Sequence, residues 1–103
     1  MARKLPIRTQ VIELIDEYVG WNFTARTNPP IRAFGDVASG DFDRIVKGLA
    51  QIVREWNFVD EAGDNMLAPS VETIGDLPLD LVTAVANRYV EELSKLPPAS
   101  PKQ

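Results

Sequence analysis

Three acidic residues crowd into residues 60–64, on either side of Gly63, and carboxylates at this density are the groups that bind calcium or transfer protons. An EF-hand calcium loop needs acidic or amide ligands at its first, third and fifth positions, glycine at the sixth and glutamate at the twelfth. Counted from Asp60, Ala62 takes the third position and Val71 the twelfth, so the calcium pattern fails. The segment instead predicts a β-turn or small hairpin in which Gly63 adopts a positive φ.

The other neighbouring carboxylates offer no better support for acid–base catalysis. The chain contains no His and no Cys, which removes the commonest general base, thiolate chemistry and Cys/His zinc sites. No phosphate-binding or dinucleotide-binding glycine motif is present. The acidic pairs fall on predicted polar faces, helix caps or turns: Asp41 with Asp43, Asp60 with Glu61, and Glu91 with Glu92. The sequence therefore predicts a protein that is not an enzyme and has no catalytic, metal-binding or cofactor-binding residues.

The composition is that of one small globular domain. The chain has 103 residues, of which 45% are hydrophobic and 25% charged, and its formal net charge is −4. An acidic balance disfavours nucleic-acid binding, which normally requires a basic face, and no apolar run reaches the roughly 18 residues of a membrane span. We expect a soluble cytoplasmic protein with a single domain over residues 1–96 and a Pro-rich flexible tail over residues 97–103.

The N-terminal part of the chain predicts a β-hairpin. Residues 19–25 alternate at period two, which is typical of a strand. The alternation places four apolar residues on one face: Val19, Trp21, Phe23 and Ala25. Residues 9–15 favour the partner strand, joined through the short connection 16–18, although their apolar spacing also permits a helix that begins at Thr9.

A short helix is predicted within residues 27–40. Asn28 is a plausible N-cap, Pro29 suits the first helical position, and Gly40 is placed to end the helix. The expected inward stripe consists of Ile31, Phe34 and Val37 or Ala38.

Residues 41–56 show the clearest helical periodicity. Asp41 is the predicted N-cap, and Asp43 complements the positive end of the helix dipole. The apolar stripe comprises Phe42, Ile45, Val46, Leu49, Ile52, Val53 and Trp56. Gly48 lies at the edge of this stripe, and a close approach by another backbone would explain it.

The last helix is predicted over residues 76–96, with Pro78 in its first turn. Its apolar arc covers about 180°, whereas a helix that lies on one layer needs only a little over 100°. The excess either packs on a second neighbour inside the domain or binds a partner. The candidate partner-binding residues are Ala86, Val90 and Leu93 on this arc, together with Trp21, which is the aromatic residue most expected to lie partly exposed at the core's edge.

These elements predict an α+β, mainly helical domain: an N-terminal β-hairpin followed by about three helices, with a short turn or small hairpin before the last one. The wide apolar arc could also build a homo-oligomer.

Three segments also carry a family resemblance. They read FTARTNPPIRAF, ASGDFDRIVKGLAQIVREWNFVDEAGD and IGDLPLDLVTAVANRYVEEL. Four motifs mark them: Arg-Thr-Asn-Pro at the end of a strand, Ser-Gly-Asp-Phe at the start of a helix, Trp-Asn-Phe before an acidic turn with Gly, and Leu-Pro at the start of a helix. In this order they resemble the tail assembly chaperones of long-tailed, siphovirus-type bacteriophages and prophages. The resemblance covers about residues 19–96.

The resemblance implies a non-enzymatic role in viral morphogenesis. Such a protein would bind the long helical tape measure protein in the host cytoplasm, keep it soluble and help to recruit tail tube protein, and it would be absent from the mature virion. Many members also have a frameshifted longer product, and the Pro-rich end would suit its junction. The alternative function is a structural virion component, such as a neck, tail or minor capsid subunit.

Overall fold

A computed structural model of the chain describes residues 6–59, 62–64 and 68–95. Its strands are β1 (Thr9–Glu13), β2 (Asn22–Arg26) and β3 (Val53–Trp56), and its helices are α1 (Ile31–Val37), α2 (Phe42–Ile52), α3 (Val71–Gly75) and α4 (Leu79–Lys95). The predicted α+β class, with an N-terminal hairpin and a mainly helical remainder, is confirmed.

The strands form one antiparallel sheet in the order β1-β2-β3. β1 and β2 pair from Thr9 opposite Arg26 to Glu13 opposite Asn22, and a 3-10 turn at Asp16–Tyr18 connects them. The predicted hairpin is thus confirmed, and the helical alternative for residues 9–15 is wrong. β3 pairs with the other side of β2, with an irregular register between Thr24 and Ala25, so β1 and β3 are both edge strands.

The third strand corrects the prediction for residues 41–56, because α2 ends at Ile52 and the chain continues as β3. Val53 has an extended backbone with φ −78° and ψ 125°. β-Branched Val53 is well suited to a strand, and its pairing with Ala25 satisfies backbone groups that β2 would otherwise leave open. Tertiary pairing therefore overrides a helical periodicity that runs through Trp56.

The predicted face of residues 19–25 is correct only in its second half. Phe23 and Ala25 are fully buried, whereas Val19 is 73% exposed. Gly20 has a φ of +95°, which breaks the extended backbone, so β2 begins only at Asn22. The apolar alternation of residues 19–25 therefore predicted a strand that starts too early in the chain.

Helix α1 begins later than predicted, at Ile31 with Pro30 at the N-cap position. The Asn28 side chain holds the start of the chain instead, since its Oδ1 accepts from the Arg8 N–H (3.0 Å) and its Nδ2 donates to the Pro6 carbonyl (2.6 Å). The predicted inward stripe is only partly correct: Val37 is buried and Phe34 packs against the core, but Ile31 does not. Ile31 is 87% exposed, and Ala33 and Val37 are the buried residues of this helix.

The close backbone approach predicted at Gly48 is confirmed. A Cβ at Gly48 would lie 2.7 Å from the Ala33 carbonyl oxygen and 2.8 Å from Cγ2 of Val37, both on α1. Asp41 is the N-cap of α2, as predicted, and its Oδ1 accepts from the backbone N–H of Asp43 (3.0 Å). The two helices therefore pack directly against each other at Gly48.

Helix α3 was not predicted. Ser70 caps it by accepting a hydrogen bond from the Thr73 N–H at 3.1 Å. Gly63, with a φ of +85°, has the positive φ predicted for the turn before it, whereas Asp60 and Glu61 lie outside the described residues. The predicted boundary of the tail, residues 97–103, also lies outside them.

Helix α4 begins at Leu79 rather than at residue 76, and the N–H groups of Leu81 and Val82 both donate to the Pro78 carbonyl at 3.1 Å. Five of its apolar residues are buried in the core: Leu81, Val82, Val85, Ala86 and Tyr89. They pack with residues of all three strands, such as Ile12, Phe23 and Val53. None of the helices in the described ranges is long and apolar enough to cross a membrane.

Candidate partner-binding site

The four predicted partner-binding residues divide into two regions of the fold. Ala86 is only 4% exposed and belongs to the core, while Val90 and Leu93 are half-buried against it. Trp21 is also half-buried, which agrees with its predicted partial exposure, but it precedes β2 and packs on other aromatic rings. The structure therefore brings Ala86 and Val90 together in one groove and leaves Leu93 and Trp21 out of its lining.

This groove lies between α4 and the pair formed by α1 and α2, and it has a volume of about 430 Å³. Its apolar wall consists of Val37, Ala38, Phe42, Ile45, Ala86 and Val90. Thr83, Asn87 and Glu91 form its polar side, one turn apart along α4. We call it the helical groove.

Phe42 is the most exposed large apolar side chain of the helical groove, at 49%. Its prediction as an inward residue of α2 was wrong, because it is the first residue of the helix after the Asp41 cap and lies at the end of the core. Phe42 also lines a second depression, of about 470 Å³, which Val46 and Val71 share. An aromatic side chain thus stands between two apolar depressions.

The charged residues that line these two depressions are two carboxylates and one lysine. Glu91 lines the helical groove and Asp43 lines the second depression, with Lys47 as the only cation among the described lining residues of the two. Nearby Arg44 already forms an ion pair with Asp36 at 3.0 Å. Glu91 is likewise paired with Arg88, so the surface presents an apolar centre with little net charge.

A further open cavity, of about 550 Å³, lies on the other side of the polar row Thr83, Asn87 and Glu91. The 3-10 turn forms its far wall, where the Tyr18 hydroxyl donates to an Asp80 oxygen at 2.9 Å. This hydrogen bond raises the pKa of Tyr18 above its ordinary value. No group of three potential metal-ligating residues occurs in the part of the chain that the structure describes.

Arg88 fixes α4 beside this cavity. Its Nε donates to the Glu13 carbonyl at 2.9 Å, and its Nη1 donates to the carboxylates of Glu91 and Glu92. Partial burial acts to lower the pKa of Arg88, but the hydrogen bonds to Glu91 and Glu92 outweigh it and raise the pKa. The hydrogen bond to the Glu13 carbonyl ties α4 to β1.

Sequence reasoning missed two residues of this surface, Phe42 as an exposed anchor and Val71 on α3. The exposure of Phe42 could have been predicted, because an apolar residue directly after an N-cap lies at the end of a helix, where the core is thin. The position of Val71 could not have been predicted, because it belongs to a helix of five residues whose placement depends on tertiary packing.

Comparisons with known proteins identified no matching family model, no matching curated protein and no matching solved structure.

Proposed function

We propose that this protein is a non-enzymatic tail assembly chaperone of a long-tailed phage or prophage, which binds the tape measure protein and assists tail tube assembly. The observation that carries the proposal is the helical groove, whose apolar wall is anchored by half-exposed Phe42. The family resemblance of residues 19–96 names the partner, and the groove offers a place to bind it.

The groove suits an amphipathic helix. Such a helix binds by placing apolar side chains one turn apart into a hydrophobic groove, and aromatic residues are frequent anchors of these contacts. Phe42 stands where side chains from successive turns of a bound helix would enter the depressions on its two sides. A tape measure protein is long and largely helical, so it would supply helices of this kind.

The proposal is tested by co-expression with the tape measure protein of the same phage. The unaltered chain should keep that protein soluble and co-purify with it. Phe42→Asp should reduce this binding by about tenfold or more, because a charged side chain in an apolar contact must be desolvated. Phe42 is suited to this test because its exposure permits the change without loss of the fold.

The matched control is Leu79→Asp, which introduces the same charge at an apolar residue that is 63% exposed and does not line the groove. It should bind as the unaltered chain does. Equal binding by Phe42→Asp would remove the groove from the proposal, and failure of the unaltered chain to bind would remove the function itself. Val90→Asp is a weaker probe, because half-buried Val90 also packs against the core.

Purified phage particles distinguish this function from the alternative. A chaperone should be absent from mature virions, or present far below the stoichiometry of the tail subunits. Mass spectrometry that finds it in fixed stoichiometry would support the structural virion component instead.

A further inference from the structure

Within the described residues, the outer edge of β1 presents a row of open backbone groups. The Arg8 carbonyl accepts from the Thr27 N–H, and the Leu14 N–H donates to the Trp21 carbonyl, both at 2.8 Å. Antiparallel pairing alternates along a strand, so the even-numbered residues of β1 direct their N–H and C=O groups towards β2. The backbone groups of Ile7, Thr9 and Val11 therefore face away from the sheet.

One end of this edge is closed. The guanidinium group of Arg88 donates to the carbonyl of Glu13 at 2.9 Å, so this carbonyl is occupied within the protein. At the other end, the Asn28 side chain binds the backbone of Pro6 and Arg8 from the β2 side, which keeps the segment extended in line with β1. The open stretch thus runs from Ile7 to Val11.

The side chains of this stretch are exposed and uncharged on one face. Ile7 is 58% exposed and Val11 is 55% exposed, and Thr9 is exposed between them. The opposite edge of the sheet is different, since β3 has four residues and exposes the charged side chains of Arg54 and Glu55. Charged side chains along an edge strand discourage pairing with another chain, and the face formed by Ile7, Thr9 and Val11 carries none.

We propose that a second copy of this chain pairs with the open edge, β1 against β1, in antiparallel orientation about a two-fold axis at Thr9. In this register Thr9 lies opposite Thr9 of the second copy, and Ile7 lies opposite Val11 of the second copy. The two three-stranded sheets become one sheet of six strands.

The register follows from the groups that are free. Pairing about Thr9 uses the backbone of Ile7, Thr9 and Val11 in each copy, which gives about six hydrogen bonds. Pairing about Val11 would instead require the Glu13 carbonyl, which Arg88 already holds. The Thr9 register also places each exposed Ile7 beside an exposed Val11 and puts Arg8 opposite Gln10, so no like charges face each other.

The area that this strand pairing buries determines how stable the dimer should be. Strand pairing with a few exposed apolar side chains buries less than the roughly 1,600 Å² of a standard stable interface. The dimer should therefore be weak and concentration-dependent, with monomers and dimers in rapid exchange. Sedimentation velocity between about 10 μM and about 1 mM protein should show the shift from monomer to dimer.

Thr9→Pro tests the edge directly. Proline removes the N–H of Thr9, which faces the open edge, and leaves the bonds between β1 and β2 in place. The variant should remain folded by circular dichroism and stay monomeric at concentrations where the unaltered chain is dimeric. Phe42→Asp is the matched control, because it alters an exposed residue of the helical groove and should leave the dimer intact.

Cysteine cross-linking tests the register. The chain has no native Cys, so a single Thr9→Cys substitution provides one thiol per copy. Directly opposed residues of an antiparallel pair lie about 5.5 Å apart at Cα, within disulfide reach, whereas two copies of Val11 would lie about 13 Å apart along the strands. Oxidation should link Thr9→Cys dimers efficiently and Val11→Cys dimers poorly. Monomeric behaviour of the unaltered chain at all concentrations, dimerisation unaffected by Thr9→Pro, or preferential linkage at Val11 would each overturn the proposal.

Discussion

Single residues set the distance between α1 and α2. Gly48 has a hydrogen where any other residue would have a Cβ, and that Cβ would lie 2.7 Å from the Ala33 carbonyl oxygen. Gly35, on α1, has open space around the corresponding position. Two helical glycines thus differ in role, one being required by packing and the other not.

We expect Gly48→Ala to lower the free energy of unfolding by about 1–3 kcal/mol, because the added methyl group forces the two helices apart. Gly35→Ala should be neutral or should stabilise the protein by up to about 1 kcal/mol, since alanine favours a helix and meets no neighbour. Urea unfolding followed by circular dichroism measures both. Similar losses in the two variants would contradict the packing role of Gly48.

Helix α4 is the element that connects the other parts. It contributes a wall to the helical groove, its buried face supports the sheet, and its C-terminal half carries ion pairs around Glu92. The hydrogen bond from Lys95, at 3.0 Å, lowers the pKa of Glu92; burial opposes this shift, and the hydrogen bond from Arg88 adds to it. The charged form of Glu92 is therefore favoured in the folded state.

Because of this pKa shift, the contribution of Glu92 to stability should depend on pH. A carboxyl group whose pKa is lower in the folded than in the unfolded state contributes stability above its unfolded pKa and loses it as the pH falls through the folded value. The unfolding temperature should fall as the pH falls below the ordinary value of 4.5, and Glu92→Gln should show a smaller fall in that window. About 1 M salt should weaken the same contribution in the unaltered chain, because it screens exposed ion pairs. An identical pH profile for Glu92→Gln would contradict the role of this group.

At the scale of the whole molecule, one hydrogen bond ties α4 to the last residue of the central strand, β2. Tyr89 is fully buried, and its hydroxyl donates to the Arg26 carbonyl at 2.7 Å. Burial raises the pKa of Tyr89 above its ordinary value, while nearby Arg26 acts in the opposite direction. The neutral hydroxyl is thus the form that the folded protein requires.

We expect Tyr89→Phe to lower the free energy of unfolding by about 1–3 kcal/mol at neutral pH, because the Arg26 carbonyl loses its donor. An unfolded tyrosine ionises near pH 10, so stability is present below that pH and is lost as the pH rises above it. The variant should lack this part of the alkaline loss. Tyr18→Phe, which removes an exposed hydrogen bond to Asp80, should cost less, and equal costs would contradict the structural importance of Tyr89.

The two proposed interfaces use different elements. The helical groove is formed by α1, α2 and α4, whereas the open edge belongs to β1. Phe42→Asp and Thr9→Pro therefore test them separately, and the loss of one interaction is not expected to remove the other.

The sequence by itself determined the features that depend on local chemistry. The Asp41 cap, the positive φ of Gly63 and the hairpin of residues 9–26 follow from propensities that act over a few neighbouring residues. The failed calcium spacing and the missing His and Cys are likewise properties of the sequence. The wide apolar arc of the last helix, which includes Ala86 and Val90, is also visible in the sequence alone.

Only the tertiary structure decided where long-range pairing competes with local preference. Val53 could continue a helix or begin a strand, and it begins a strand because it pairs with the side of β2 that β1 leaves free. Phe42 and Ile31 fit apolar stripes but lie where their helices leave the core, so they are exposed. Whether an apolar residue is buried depends on what stands opposite it in space, and periodicity along one segment carries no information about that neighbour.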